Sequence, residues 1–472
     1  MLFPTFEFFL FFAVILILNW GLKRWPLVWR IFLLVSSYYF YLIWDLKFLY
    51  ILIGVSLFNF FTGLLIDKFV LKSKIILAIS VLINLSVLGL FKYYDFFRVS
   101  LESFLSKFNL PASLPLLEII LPIGLSFYIF RVISYNIDIY RLKIKATHSL
   151  LDFFIYVSFF PQLLSGPIAR ASEFLPQLAN GGSKRINDFY ENLSLIVLGL
   201  FKKIIVSSYL VIYLTDDVFA VPENHSSLVI LMAYFAYCFV IYFDFSSYSD
   251  MAIGFAGMMG FKSPVNFNTP YLSLNIVDFW RRWHITLSYW FRDYLYIPLG
   301  GNRKGKLRKY LNLFIVMVLA GLWHGASTNF LIWGALHGTA LLLTHALHDY
   351  KENKYGLKSP GLFKKIICWF LTFNFITFSW IFFRIESFSK IVKFISSLFS
   401  NYRIVEPFPV YAVYLLLIAF IFIIFEKNII NLSIKLYQNV NFLFLVIIVI
   451  LIIIFIFSLG PNTVPNFIYF SF

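Results

Sequence analysis

Three side chains could carry out proton transfer or nucleophilic attack in an otherwise inert chain: His324, His284 and Tyr469. His324 follows Leu322 and Trp323 in an apolar run that starts after the basic stretch Arg303–Lys309, so it is expected near the middle of an apolar helix. An ionisable group inside a membrane segment is costly and marks a functional site by default. A neutral imidazole there can serve as a general base, a role typically worth about 10²–10⁴-fold in rate. The plainer alternative is a histidine hydrogen-bonded between helices.

His284 lies in FWRRWHITLSYWFRDYLYIPLGGNR, residues 279–303. It could line an entrance, position a carbonyl group, or hold its own segment in place. Arg281, Arg282 and Arg292 in the same stretch could bind phosphate, because a guanidinium matches phosphate geometry. Anchoring at the membrane surface, with pairing to Asp278 or Asp293, is the competing account. His337 falls within WGALHG and suits a packed helix interface. His345 and His348, beside Asp349, have metal-ligand spacing, but polar caps are ordinary at the edge of a span, and no metal site is expected. His148 and His225 read as loop residues. Asp244 and Asp250, within YFDFSSYSD, suit a buried polar network that orients a histidine or fixes a broken helix. Neither a GxSxG elbow nor a P-loop occurs.

The elements that must carry these groups are membrane helices. The 472 residues are 61% hydrophobic and 13% charged, with 60 phenylalanines. Spans of about 20 apolar residues are expected at 6–22, 27–44, 47–66, 75–94 and 115–137, then one leaving the cytoplasm near 310, and later ones at 328–348, 362–383, 409–426 and 441–460. Glu7–Leu22 reads as a retained span, since a basic n-region and a cleavage site are lacking. Residues 150–168 contain Pro161, Gln162, Gly166 and Pro167 between basic flanks, which predicts a re-entrant segment. Lys202 and Lys203 interrupt 189–215, predicting two shorter helices or one partly in the interface. Residues 271–297 are too polar to span and too aromatic for a free loop, so a second re-entrant or interfacial segment is expected. The result is an all-α, polytopic protein of about 11–13 membrane segments, read as one integral domain over 1–472.

The net charge of +16 sits in interspan loops. The positive-inside rule accounts for it better than nucleic-acid binding, and puts both termini outside. Cys238 and Cys368 lie in apolar stretches and read as free thiols.

Five motifs carry a family resemblance: FYIFRVISYNIDIYR at 127–141, FFPQLLSGPIARASEFLPQL at 159–178, YFDFSSYSDMAIG at 242–254, NFNTPYLSLNIVDFWRRWHITLSYWFRDYLYIPLGGNR at 266–303, and GLWHGASTNFLIWGALHG at 321–338. Together they fill most of 127–338, inside a motif-bearing core of about 115–350, and the chain resembles the membrane-bound O-acyltransferase superfamily in its alginate and peptidoglycan O-acetylase branch. The resemblance implies a funnel of helices around the re-entrant segments, with His324 essential for acyl transfer and His284 the second characteristic histidine. It implies acetyl-coenzyme A or another acyl thioester as donor, with no bound cofactor. It also implies an extracytoplasmic SGNH-type O-acetyltransferase and cell-envelope polysaccharide pathway proteins as partners, in a bacterial cytoplasmic (inner) membrane.

The segment FIYFSF at 467–472 follows Pro461 and Pro465 and is greasy enough to enter such a funnel. Tyr469 would then stand near His324 and accept the acyl group covalently; an interfacial aromatic anchor is the alternative. Competing functions are a D-alanyl transfer protein for teichoic acids, a transporter with discontinuous helices, and an acyltransferase acting on lipid or a small molecule. The sequence leaves the polymer, the donor and the oligomeric state open.

Overall fold

A computed structural model describes residues 2–110, 115, 120–183, 186, 188–355, 361–407 and 410–470. Among these it is helical throughout, with no strand. Eight helices are long and apolar enough to cross a membrane, and two shorter apolar helices, α1 (Phe6–Leu22) and α2 (Pro26–Leu42), precede them. The chain is a multi-pass membrane protein. It divides into two compact units, Met1–Phe189 with Phe255–Pro264, and Tyr190–Gly254 with Val265–Phe472.

In the first unit, local chemistry starts the helices where the sequence changes character. Pro26 opens α2, where a missing N–H costs nothing. Asp45 accepts the Lys47 N–H at 2.7 Å and caps α3 (Leu46–Lys68). The helices α4 (Ser73–Ser106) and α5 (Leu125–Tyr140) complete a group held by polar side chains. Asn59 Oδ1 accepts from Asn84 and Asn136, each at 2.8 Å, and Asn136 also donates to Ser80 Oγ at 2.8 Å. Lipid tails are as apolar as leucine, so such interhelical bonds supply specificity that apolar burial cannot.

The span expected at 75–94 is longer in the structure, and the one expected at 115–137 begins at Leu125. Residues 111–114 and 116–119 lie outside the described residues. The proline-containing stretch 150–168 forms α6 (Leu150–Ser158) and a single turn, Phe160–Leu163, then an irregular segment leading to a short helix at Ala171–Ala179. Nine residues reach only about 14 Å, too short for a hydrocarbon core of about 30 Å. Arg131 of α5, 1% exposed, donates to Gln162 Oε1 at 2.8 Å and to the Tyr156 carbonyl at 3.1 Å, tying that stretch down.

In the second unit, the run Phe189–Ala220 (α7) corrects the expectation of two shorter helices or an interfacial one. It is one continuous helical run with two widened turns, at Lys202–Ser207 and Val211–Thr215. The two lysines need no interface because buried carboxylates meet them. The unit continues with α8 (Ser227–Met258), whose residues from Phe255 count with the first unit, then α9 (Ile276–Arg282) and α10 (Ile285–Phe291). The remaining helices are α11 (Gly305–His324), α12 (Thr328–Tyr355), α13 (Leu362–Arg384), α14 (Phe388–Ser400), α15 (Val410–Gln438) and α16 (Phe442–Leu459). Both cysteines are free thiols, Cys238 buried and Cys368 half-buried.

Candidate active site

His324 is the last residue of α11, not a mid-helix residue as expected. The helix stops because Gly325 turns extended, at φ −167° and ψ 157°. Two glycines set how closely α11 and α12 approach. A Cβ on Gly321 would lie 2.2 Å from the Phe330 carbonyl oxygen, and one on Gly334 would lie 2.4 Å from that of Met317. Small residues let membrane helices meet backbone to backbone. That approach sets Trp333 edge-on to the His324 ring, centroids 5.1 Å apart. Trp323 at 4.9 Å and Phe383 at 5.0 Å complete an aromatic wall, and His324 is 3% exposed.

His284 joins α9 to α10 in the left-handed region, at φ 41° and ψ 55°. Non-glycine residues rarely sit there without surrounding structure to hold them. Asn266 supplies that structure. Its Oδ1 is 3.2 Å from His284 Nδ1 and accepts from Thr286 Oγ1 at 2.9 Å, while its backbone oxygen accepts the Ile285 N–H at 2.9 Å. Its amide nitrogen donates to Ser249 Oγ at 3.1 Å, which orients the carboxamide. A carboxamide oxygen only accepts, so Nδ1 carries the hydrogen and Nε2 is the basic nitrogen of the neutral ring. His284 is fully buried, with the edge of Phe245 4.7 Å away and Trp323 at 6.2 Å.

Tyr469 arrives from a different direction. Asn441 caps α16 by accepting the Leu443 N–H, and Tyr209 Oη donates to the Leu459 carbonyl at 2.6 Å where that helix ends. Pro461 and Pro465 lack an N–H and cannot extend it. The segment then packs Phe467 against Tyr248 at 5.0 Å and Tyr469 against Phe245 at 4.4 Å. The Tyr469 centroid is 5.8 Å from that of His324 and 6.5 Å from that of His284. One phenol thus has both imidazoles as neighbours. Ser471 and Phe472 lie outside the described residues.

Buried charge surrounds this cluster. Lys203 Nζ donates to Asp244 Oδ1 at 2.5 Å. Lys202 donates to Asp250 Oδ2 at 2.6 Å and to Glu426, whose other oxygen accepts from Tyr242 Oη at 2.5 Å. Asp244 and Asp250 therefore hold lysines rather than a histidine.

The arginines behave differently from the three rings. Arg282 Nε pairs with Asp278 at 2.9 Å, and Arg292 pairs with Asp293 at 2.7 Å while lying 4.4 Å over the Tyr289 ring. Arg281 is exposed and makes no ion pair among the described residues. None of the three joins the histidine–tyrosine cluster. His337 Nε2 is 2.9 Å from Ser379 Oγ; that hydroxyl donates to the Ile376 carbonyl, so the imidazole donates to the serine. Asp349 is engaged by Lys309 and Tyr310, and His225 lies between Asp217 and Glu406. No group of three or more metal-ligating side chains occurs among the described residues.

Reading the sequence missed Asn266 and Lys203. Asn266 lies inside a quoted motif, and a polar residue among aromatics was the available signal. For Lys203 the signal was a lysine inside an apolar run, which asks for a buried carboxylate.

Residues 138–385 match the membrane-bound O-acyltransferase family. The probable alginate O-acetylase AlgI of Pseudomonas putida is 40% identical over 374 residues, 79% of this chain and 75% of that protein. The peptidoglycan O-acetyltransferase of Helicobacter pylori is 38% identical over 403 residues, 78% of this chain and 74% of its own. The teichoic acid D-alanyltransferase of Bacillus subtilis is 28% identical over 265 residues, 54% of this chain and 67% of its own.

Proposed function

The chain belongs to the membrane-bound O-acyltransferase family, and on that footing we propose that it O-acetylates a cell-envelope polysaccharide through a tyrosyl relay. The donor is a cytoplasmic thioester, acetyl-coenzyme A or a chemical equivalent, and the membrane is the bacterial inner membrane with both termini outside. The short helices at 150–163 and 276–291 are re-entrant, and the chain works as one integral domain.

The observation that carries this reading is the Tyr469 ring, 5.8 Å from the His324 ring and 6.5 Å from the His284 ring. His324 takes the phenolic proton as the Tyr469 oxygen attacks the thioester carbonyl. The C–O bond forms, the C–S bond breaks, and the thiolate leaves with a proton returned by the imidazole. The acetyl-tyrosine ester then meets a hydroxyl of an extracytoplasmic SGNH-type acetyltransferase, which attacks the ester carbonyl and displaces the phenol. General base and covalent carrier together split one transfer across a membrane into two short ones. His284, with Nε2 as its basic nitrogen, positions the thioester carbonyl or the phenol. Arg281, Arg282 and Arg292 meet the donor's phosphates at the cytoplasmic mouth, where Arg281 and Arg292 are exposed.

The buried His324 fits a resting state in which the Tyr469 segment covers it. D-alanyl transfer uses related chemistry, but the stronger likeness is to the two O-acetylating relatives. The test is loss of base-labile acetate from envelope polysaccharide when the gene is deleted, and its return with wild-type protein but not with His324→Ala. An unchanged acetate content in the deletion strain overturns the reading.

A further inference from the structure

What seats the aromatic segment after α16 so that its phenol meets both histidines? Proline and stacking alone do not fix a register, because aromatic faces slide on one another at little cost. The answer lies in a buried ion pair that the acyl chemistry does not use.

Asp244, in α8, is 2% exposed and uses its two carboxylate oxygens on two different partners. Oδ1 accepts from Lys203 Nζ at 2.5 Å. Oδ2 accepts the backbone N–H of Ile468 at 2.6 Å, one residue before Tyr469. Lys203 Nζ reaches the same segment from the other side and donates to the Asn466 carbonyl at 3.4 Å. Two helices of the second unit therefore grip the backbone on either side of Phe467, whose ring is 3% exposed. Charge-assisted bonds to backbone fix position along a strand, which stacking cannot do.

The grip is not sealed. A pocket of about 210 Å³ runs alongside it, lined by Lys203, Asp244, Tyr237, Arg384 and the segment's own Asn466 and Ile468. Tyr237 is 3% exposed and its hydroxyl has no hydrogen-bond partner among the described residues. The backbone held by one lysine and one carboxylate therefore borders open space on that side.

We propose that the Lys203–Asp244 pair is a positioning latch: it registers the 465–470 segment so that Tyr469 faces His324 and His284, and its opening frees the segment toward the adjacent pocket. Its part in transfer rests on the relay reading of Tyr469, whereas the latch itself does not.

Purified protein in lipid nanodiscs tests it with chymotrypsin, which cuts after exposed Phe and Tyr, and with turnover measurements on acetyl-coenzyme A. Wild type is expected to resist cleavage after Tyr469, and with it release of the peptide that follows that bond. The double variant Lys203→Met/Asp244→Asn removes both charges together and so leaves no unpaired buried ion. Ile468→Pro removes only the donated N–H and leaves every helix intact. Both variants are expected to release that peptide several-fold faster, and kcat is expected to fall by about 10²-fold, as for a misplaced reacting group, with KM for the donor unchanged. Asp244→Glu, which keeps charge and acceptor, is expected to recover most of the protection. Protection equal to wild type in both variants overturns the latch whatever the rate. Faster release with wild-type kcat overturns its part in transfer. Wild-type turnover in Tyr469→Phe then assigns that failure to the relay reading, while the latch stands on the protection data.

Discussion

The Tyr469 ring stands 5.8 Å from the His324 ring, centroid to centroid and at a 53° tilt, although the two arrive on segments that share no helix. His324 ends α11 and Tyr469 follows the proline-broken exit from α16. Under the proposed relay these two rings form the reaction centre, and its parts can be removed one at a time.

Replacing His324 by alanine is expected to lower polymer acetylation by about 10²–10⁴-fold, the usual contribution of a general base. Its abundance in the membrane should stay normal, because the ring sits at a helix end where alanine is well tolerated. Base-released acetate normalised to immunoblot signal measures this.

Tyr469→Phe keeps the ring contacts with Phe245 and both histidines and removes only the phenolic oxygen. Acetylation is expected to be lost while thermal stability in detergent is unchanged. Mass analysis of wild-type protein mixed with donor alone should find an acetyl group on the peptide bearing Tyr469, and the variant should lack it.

Asn266→Ala removes the oxygen that meets His284 Nδ1 and Thr286 Oγ1. Leaving such buried donors unsatisfied costs about 1–3 kcal/mol, and the left-handed turn at His284 loses its support. Both melting temperature and activity should fall. Asn266→Asp keeps an acceptor oxygen and should recover more activity than alanine; equal loss in the two would show that the oxygen is not what matters.

Gly334→Val forces a side chain against the Met317 carbonyl, only 2.4 Å from the Cβ position. Overpacking of this kind costs about 1–3 kcal/mol and would push α12 away from α11, taking Trp333 off His324. Gly361→Ala, where no atom of the described residues lies within 4 Å, should be silent in the same thermal and activity assays.

Lys202→Met strips the counter-charge from Asp250 and Glu426. Breaking a buried pair from one side costs about 3–5 kcal/mol, so lower yield and melting temperature are expected. Adding Glu426→Gln and Asp250→Asn should restore part of the stability, since no uncompensated charge then remains. A triple variant no more stable than Lys202→Met would argue against this account.

Long apolar stretches were enough to identify membrane helices, because 20 apolar residues have few other stable fates in a cell. They also singled out His324, His284 and Tyr469 as candidates, since ionisable or nucleophilic side chains stand out against such a background. Helix ends were less legible. His324 proved terminal because Gly325 turns extended, and hydropathy does not register a change in ψ.

The lysines of α7 show the deeper divide. From sequence alone, Lys202 and Lys203 argue for a break or an interface, since an unpaired charge cannot stay in a membrane. Only the folded chain brings Glu426 to one and Asp244 to the other, and then binds Asp244 to an amide 224 residues away. Local periodicity determines which face of a helix a residue occupies. It carries no information about which distant segment packs there, because that choice is made by the joint packing of all the helices. The sequence by itself therefore determined the membrane-helical class and the reactive residue types, and tertiary structure alone decided which of them meet.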